Sequence, residues 1–95
     1  MESNKTTKKQ MLQLYRSLLT SISKINVQLG HQVSVEIDFT NNHKCVIYIK
    51  AFNGLQSAHK ALYQFYSHKE NKTILDKAVK AIQDCNFEEF KNIRH

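Results

Sequence analysis

Over the first third of the chain, apolar side chains return at alternating steps of four and three: Met11, Tyr15, Leu18, Ile22, Ile25 and Leu29, with Leu12 and Leu19 widening the stripe. This is the 3.6-residue repeat of an amphipathic helix, and it predicts a helix of about six turns over residues 7–29, stopped by Gly30. From Gln32 the period becomes two. Val33, Val35, Ile37 and Phe39 alternate with Ser34, Glu36 and Asp38, as a half-buried strand requires. Thr40-Asn41-Asn42-His43 is turn chemistry. A return strand from Lys44 to Phe52 then sets Cys45, Ile47, Ile49 and Ala51 on one face and Val46, Tyr48, Lys50 and Phe52 on the other.

After Asn53-Gly54, the positions Leu55, Ala58, Ala61, Leu62 and Phe65 fit helical spacing through Ser67, and His68 to Lys72 reads as a polar loop. Thr73 with Asp76, and Asn86 with Glu89, have the spacing of capping boxes. They predict two further short helices on Leu75, Ala78, Val79 and Ile82 and on Phe87, Phe90 and Ile93. The expected fold is α+β: a long N-terminal helix, an antiparallel β-hairpin, then three shorter helices (α-β-β-α-α-α). It forms one domain over 1–95, with 1–6 as a disordered basic arm. A lone hairpin is marginal in water, so its apolar second face needs cover from the later helices or from a second molecule.

Composition changes this picture mainly through charge. Fourteen basic and eight acidic side chains leave a net +6 on 95 residues, with twelve lysines and only two arginines. Lysine-rich, arginine-poor usage is also what an AT-rich coding sequence yields, so part of the excess reflects codon usage. Residues 1–31 carry five basic and one acidic side chain, and residues 55–82 carry five and two. An apolar fraction of 41% supports a folded core, no run of residues is apolar enough for a membrane span, and the N-terminus lacks a hydrophobic leader. The expected location is cytoplasmic, where Cys45 and Cys85 are buried reduced thiols.

Catalytic and metal chemistry find little support. The histidines His31, His43, His59, His68 and His95 show no zinc-pair spacing, and no CxxC occurs. Glu88 and Glu89 point apart on a helix, Glu36 and Asp38 read as solvated strand surface, and Asn53-Gly54 lacks the rest of a phosphate-cradling loop. No enzyme activity, cofactor or metal is expected. What remains are surfaces. Val46, Tyr48 and Phe52 form a candidate protein interface, and edge-strand pairing or a homodimer is one way to use it. Lys69, Lys72, Lys77 and Lys80, with Tyr63 and Tyr66 interleaved, form a candidate surface for nucleic acid or an acidic partner. The scarcity of arginine argues against sequence-specific duplex reading. Two readings stay open. One is an accessory subunit or inhibitor docking on a larger nucleic-acid-handling protein complex, of the kind phage or mobile elements encode. The other is a non-specific binder of single-stranded DNA or RNA backbone.

Overall fold

The computed structural model describes residues 5–29, 32–39 and 44–94. The amphipathic stripe forms α1 (Lys8–Leu29), which buries Met11, Leu18, Ile22 and Ile25; Leu14, outside the expected stripe, is buried with them, and Leu19, expected to widen it, is exposed. Thr7 caps it: its hydroxyl accepts from the Gln10 N–H at 3.1 Å, while the Gln10 side chain accepts from the Thr7 N–H at 2.9 Å. The expected stop at Gly30 and the expected turn at 40–43 lie outside the described residues.

Three strands follow, β1 (Val33–Phe39), β2 (Cys45–Asn53) and β3 (Gln56–Tyr63), as an antiparallel sheet in the order β1-β2-β3. The β1–β2 register pairs Val35 with Ile49 and Ile37 with Ile47. Both faces of β2 match the sequence alternation. Cys45, Ile47 and Ile49 are fully buried, and on the other face Tyr48 and Lys50 are half-buried and Phe52 is exposed, while Val46 at its start is buried.

The third strand corrects the helix expected over residues 55–67. Asn53 pairs with Gln56, leaving Gly54 and Leu55 as a two-residue turn. Gly54 has φ +61°, the left-handed value that glycine takes without steric cost and that tight hairpins need. The spacing of Ala58, Ala61 and Leu62 is compatible with a helix. Strand pairing wins because it satisfies the second edge of β2 and completes a three-stranded sheet, which a lone hairpin cannot match. Ala58 and Leu62 pack into the core, and Phe65 falls beyond the strand in a turn.

α2 (His68–Gln83) starts five residues before the expected cap at Thr73. Ser67 is the actual cap: its hydroxyl accepts from the Glu70 N–H at 3.0 Å, and the Glu70 carboxylate accepts from the Ser67 N–H at 3.1 Å. The expected polar loop at 68–72 is therefore the first turn of a helix. α3 (Phe87–Lys91) has Asn86 as its cap, as the sequence indicates, with Glu89 returning the contact. Lys60, on the core side of β3, reaches across to donate to the carbonyls of Lys91 at 2.7 Å and Ile93 at 3.0 Å. This satisfies carbonyls that a helix end leaves open.

Between α2 and α3, Cys85 has φ +57°. Its N–H bonds the Ile82 carbonyl at 3.1 Å and the Asn86 N–H bonds the Ala81 carbonyl at 2.8 Å, the paired closure of a Schellman motif. Cys85 is exposed, which corrects the expectation that both thiols are buried; Cys45 is buried as expected.

Candidate nucleic-acid interface

Both long helices begin at the same end of the molecule. Thr6, immediately before α1, is 1% exposed, and its N–H donates to the carbonyls of Gln64 and Tyr66 at 3.1 and 2.9 Å. Its hydroxyl donates to the Tyr66 carbonyl at 2.8 Å. Asn71, fully buried on α2, donates to the Thr6 hydroxyl at 2.8 Å and to the Tyr63 carbonyl at 2.9 Å. Of the segment expected as a free arm, Lys5 and Thr6 are thus tied to the start of α2, with Lys5 bridged to Ser67. Residues 1–4 lie outside the described residues.

This polar tie gathers charge from three separate stretches of chain. Lys8 stands with its ammonium 5.2 Å above the Phe39 ring at the end of β1. Lys5, bridged to Ser67, and Lys9, Lys44, His68 and Lys69, which lie at or next to the segments joined here, are exposed, as are Asp38 and Glu70. The positive ends of both helix dipoles point the same way and add to the field. At the end of α2 and along α3, Asp84, Glu88 and Glu89 stand among Lys80, Lys91 and Arg94, with Lys80 paired to Asp84 at 2.8 Å and Lys91 to Glu88 at 3.5 Å, so the charge there is largely compensated.

The outward stripe of α1 continues the basic pole. Lys9, Gln13, Arg16, Ser17, Thr20, Ser23 and Lys24 are exposed on it, and α1 contains no acidic residue. At 1.5 Å per residue, Lys9, Arg16 and Lys24 stand about 10 to 12 Å apart along the helix, over about 22 Å in all.

The lysine cluster expected on the later helices is less coherent. Lys72 is paired with Asp76 at 2.9 Å and Lys80 with Asp84 at 2.8 Å. The Asp84 hydrogen bond and charge hold the Lys80 pKa above its ordinary value, so this cation is engaged within its own helix. Lys72 and Lys80 border an open groove against Ser17 and Ser21 of α1, whereas Lys77 is not part of that groove. Lys69 alone of the four stands in the first turn of α2 at the basic pole.

Tyr63 and Tyr66 come together at that pole. Their ring centroids are 5.3 Å apart at 81°. A third ring, Phe65, stacks on Tyr63 at 5.0 Å and 24° and meets Tyr66 edge-on at 4.8 Å. Desolvation, then the neighbouring Tyr63 and Glu70, push the Tyr66 hydroxyl above its usual pKa, so it stays protonated. Sequence periodicity assigned Phe65 to a helix core; the available signal was a Phe at a turn position, where small polar residues are usual.

The candidate protein interface is only partly open. Val46 is buried, Tyr48 is half-buried and Phe52 is 46% exposed beneath the Lys50 ammonium, 5.1 Å from its ring centre. Burial, partly opposed by Lys8, pushes the Cys45 thiol above its ordinary pKa, which leaves a protonated, poor nucleophile. Among the described residues, no group of three or more His, Cys, Asp or Glu could hold a metal ion, and no helix is long and apolar enough to cross a membrane. No family model, curated protein or solved structure matches the chain.

Proposed function

We propose that the protein binds the phosphate backbone of double-stranded nucleic acid, RNA in particular, without reading its sequence. The observation that carries this is the acid-free outward stripe of α1 running from the basic pole. A helix carrying three cations over about 22 Å and no acid suits a stiff polyanion, since the lysines and the arginine can each meet a backbone phosphate. The side chains between them, Gln13, Ser17, Thr20 and Ser23, are short donors and acceptors. That chemistry matches the 2′-hydroxyls displayed in the wide, shallow minor groove of A-form RNA. Point-like lysines in place of bidentate arginines fit backbone contact better than base recognition.

Docking on a protein partner through Val46, Tyr48 and Phe52 has weaker support, because Val46 is buried, Tyr48 is half-buried and the Phe52 ring is already covered by a cation. The test is fluorescence-anisotropy titration against duplex RNA, duplex DNA and single strands at two salt concentrations. The expected result is tightest binding to duplex RNA, weakening steeply with salt, and Lys9→Glu with Arg16→Glu lowering affinity for every sequence alike. Absence of binding at low salt, or affinity indifferent to those two charges, overturns the proposal and leaves the protein-docking surface to be pursued.

A further inference from the structure

The backbone contacts above leave the three-ring cluster at the pole unused. Phe65 is 57% exposed, although Tyr63 lies flat against it and Tyr66 abuts it. Single exposed apolar side chains are ordinary, and Leu55 and Val27 are two such cases. Phe65 differs in its support and its neighbours. Its turn is fastened on several sides: the Gln64 N–H donates to the Cys45 carbonyl at 3.1 Å, and the Gln64 side chain accepts from the Cys45 N–H at 3.0 Å. The Tyr66 N–H closes the turn on the Tyr63 carbonyl at 3.0 Å, and Thr6 clamps the carbonyls of Gln64 and Tyr66. The ring is therefore held in place before any ligand arrives, which lowers the ordering cost of binding. Lys5, bridged to Ser67 two residues on, and His68 and Lys69 in the first turn of α2 are exposed where this turn runs into the helix.

A fixed, half-open aromatic ring backed by a second ring and flanked by cations has the chemistry that takes a nucleobase on the ring and its phosphate on the lysines. We propose that Phe65 is a stacking platform for one unpaired nucleobase, with Lys69 holding the adjoining phosphate, so that the pole favours duplexes carrying a single-stranded overhang or bulge over blunt ones. This inference rests on the backbone-binding function proposed above and adds a specificity to it. Base pairs within a continuous duplex have their faces occupied by neighbours; only an unstacked base offers the π-face that the ring needs.

The deciding experiment compares one RNA duplex in blunt form and with a short single-stranded overhang, by anisotropy. The wild-type protein is expected to bind the overhang form about 5- to 100-fold more tightly, the range that aromatic–base stacking supplies. Phe65→Ala is expected to erase that preference and leave blunt-duplex affinity unchanged. Phe65→Trp is expected to keep it and, because the chain has no other tryptophan, to report stacking as fluorescence quenched by the overhang duplex and not by the blunt one. Equal affinity of the wild type for both duplexes, or a preference that survives Phe65→Ala, overturns the platform while the backbone function stands. Binding to neither duplex removes both.

Discussion

Replacing Asn71 tests the tie that joins the two helix starts. The side chain is fully buried and donates at 2.8 and 2.9 Å to the Thr6 hydroxyl and the Tyr63 carbonyl. Each such bond is worth about 1 kcal/mol net, so Asn71→Ala loses about 2 kcal/mol. Neither partner is stranded, because the Thr6 hydroxyl still donates to Tyr66 and the Tyr63 carbonyl still accepts from the Tyr66 N–H. Relief of the Asn71 Oδ1, which has no protein partner, offsets part of the small void. Asn71→Asp keeps the shape and removes the donors, setting an uncompensated buried charge against two acceptors, at about 3 to 5 kcal/mol. A carboxyl introduced there has a folded-state pKa above its unfolded value of about 4. The folded state therefore binds the proton more tightly, and the stability missing at neutral pH returns as pH falls through the folded pKa. Urea unfolding at pH 7 and pH 5 measures both variants. If Asn71→Asp is as stable as Asn71→Ala at pH 7, or if Asn71→Ala loses less than about 0.5 kcal/mol, the tie does not hold the pole together.

Three further outcomes are expected. Cys85→Gly raises stability by about 1 kcal/mol, since it relieves a left-handed φ of +57° at the Schellman position; a thermal melt that falls or does not move contradicts this. Lys60→Met frees the carbonyls of Lys91, at the end of α3, and of Ile93 just beyond it, and costs about 1 to 2 kcal/mol, with hydrogen exchange accelerating first in 87–93; uniform exchange across the chain refutes a local anchor. Ser67→Ala removes the α2 cap and costs about 1 kcal/mol by urea denaturation, while Thr73→Ala, at the cap position that spacing alone suggests, costs less than half of that.

The elements with a single dominant period were legible in the sequence. α1 shows one uninterrupted stripe, β1 alternates cleanly, and both faces of β2 are as the pattern places them. β3 was not, because Ala58, Ala61 and Leu62 satisfy a helical repeat as well as a strand, and only pairing with β2 chooses between them. The start of α2 was missed by one turn and a half because two overlapping cap signals stand at Ser67 and Thr73, and the turn between Tyr63 and Ser67 selects the earlier one. For the candidate site, each basic residue was visible but not its company. Bonds from Thr6 to Tyr66 and from Asn71 to Thr6, spanning 60 and 65 positions, bring the start of α1 to the start of α2, while Lys72 and Lys80 carry acids four residues on that neutralise them. Phe65 was hidden by the same false helix.

The uneven pairing of charge between the helices has a consequence for how copies would arrange themselves. Lys9, Arg16 and Lys24 have no acid on their own helix, whereas Lys72, Lys80 and Lys91 each carry one three or four residues away. With screening lengths of about 8 Å at physiological salt, the excess positive field is felt close to the outward face of α1 and little beside those pairs. If the proposed function holds, nucleic acid coated by many copies would present the compensated faces to its surroundings, so the protein would sheathe one strand without bridging to a second, in contrast to uniformly basic proteins that bridge strands and condense them.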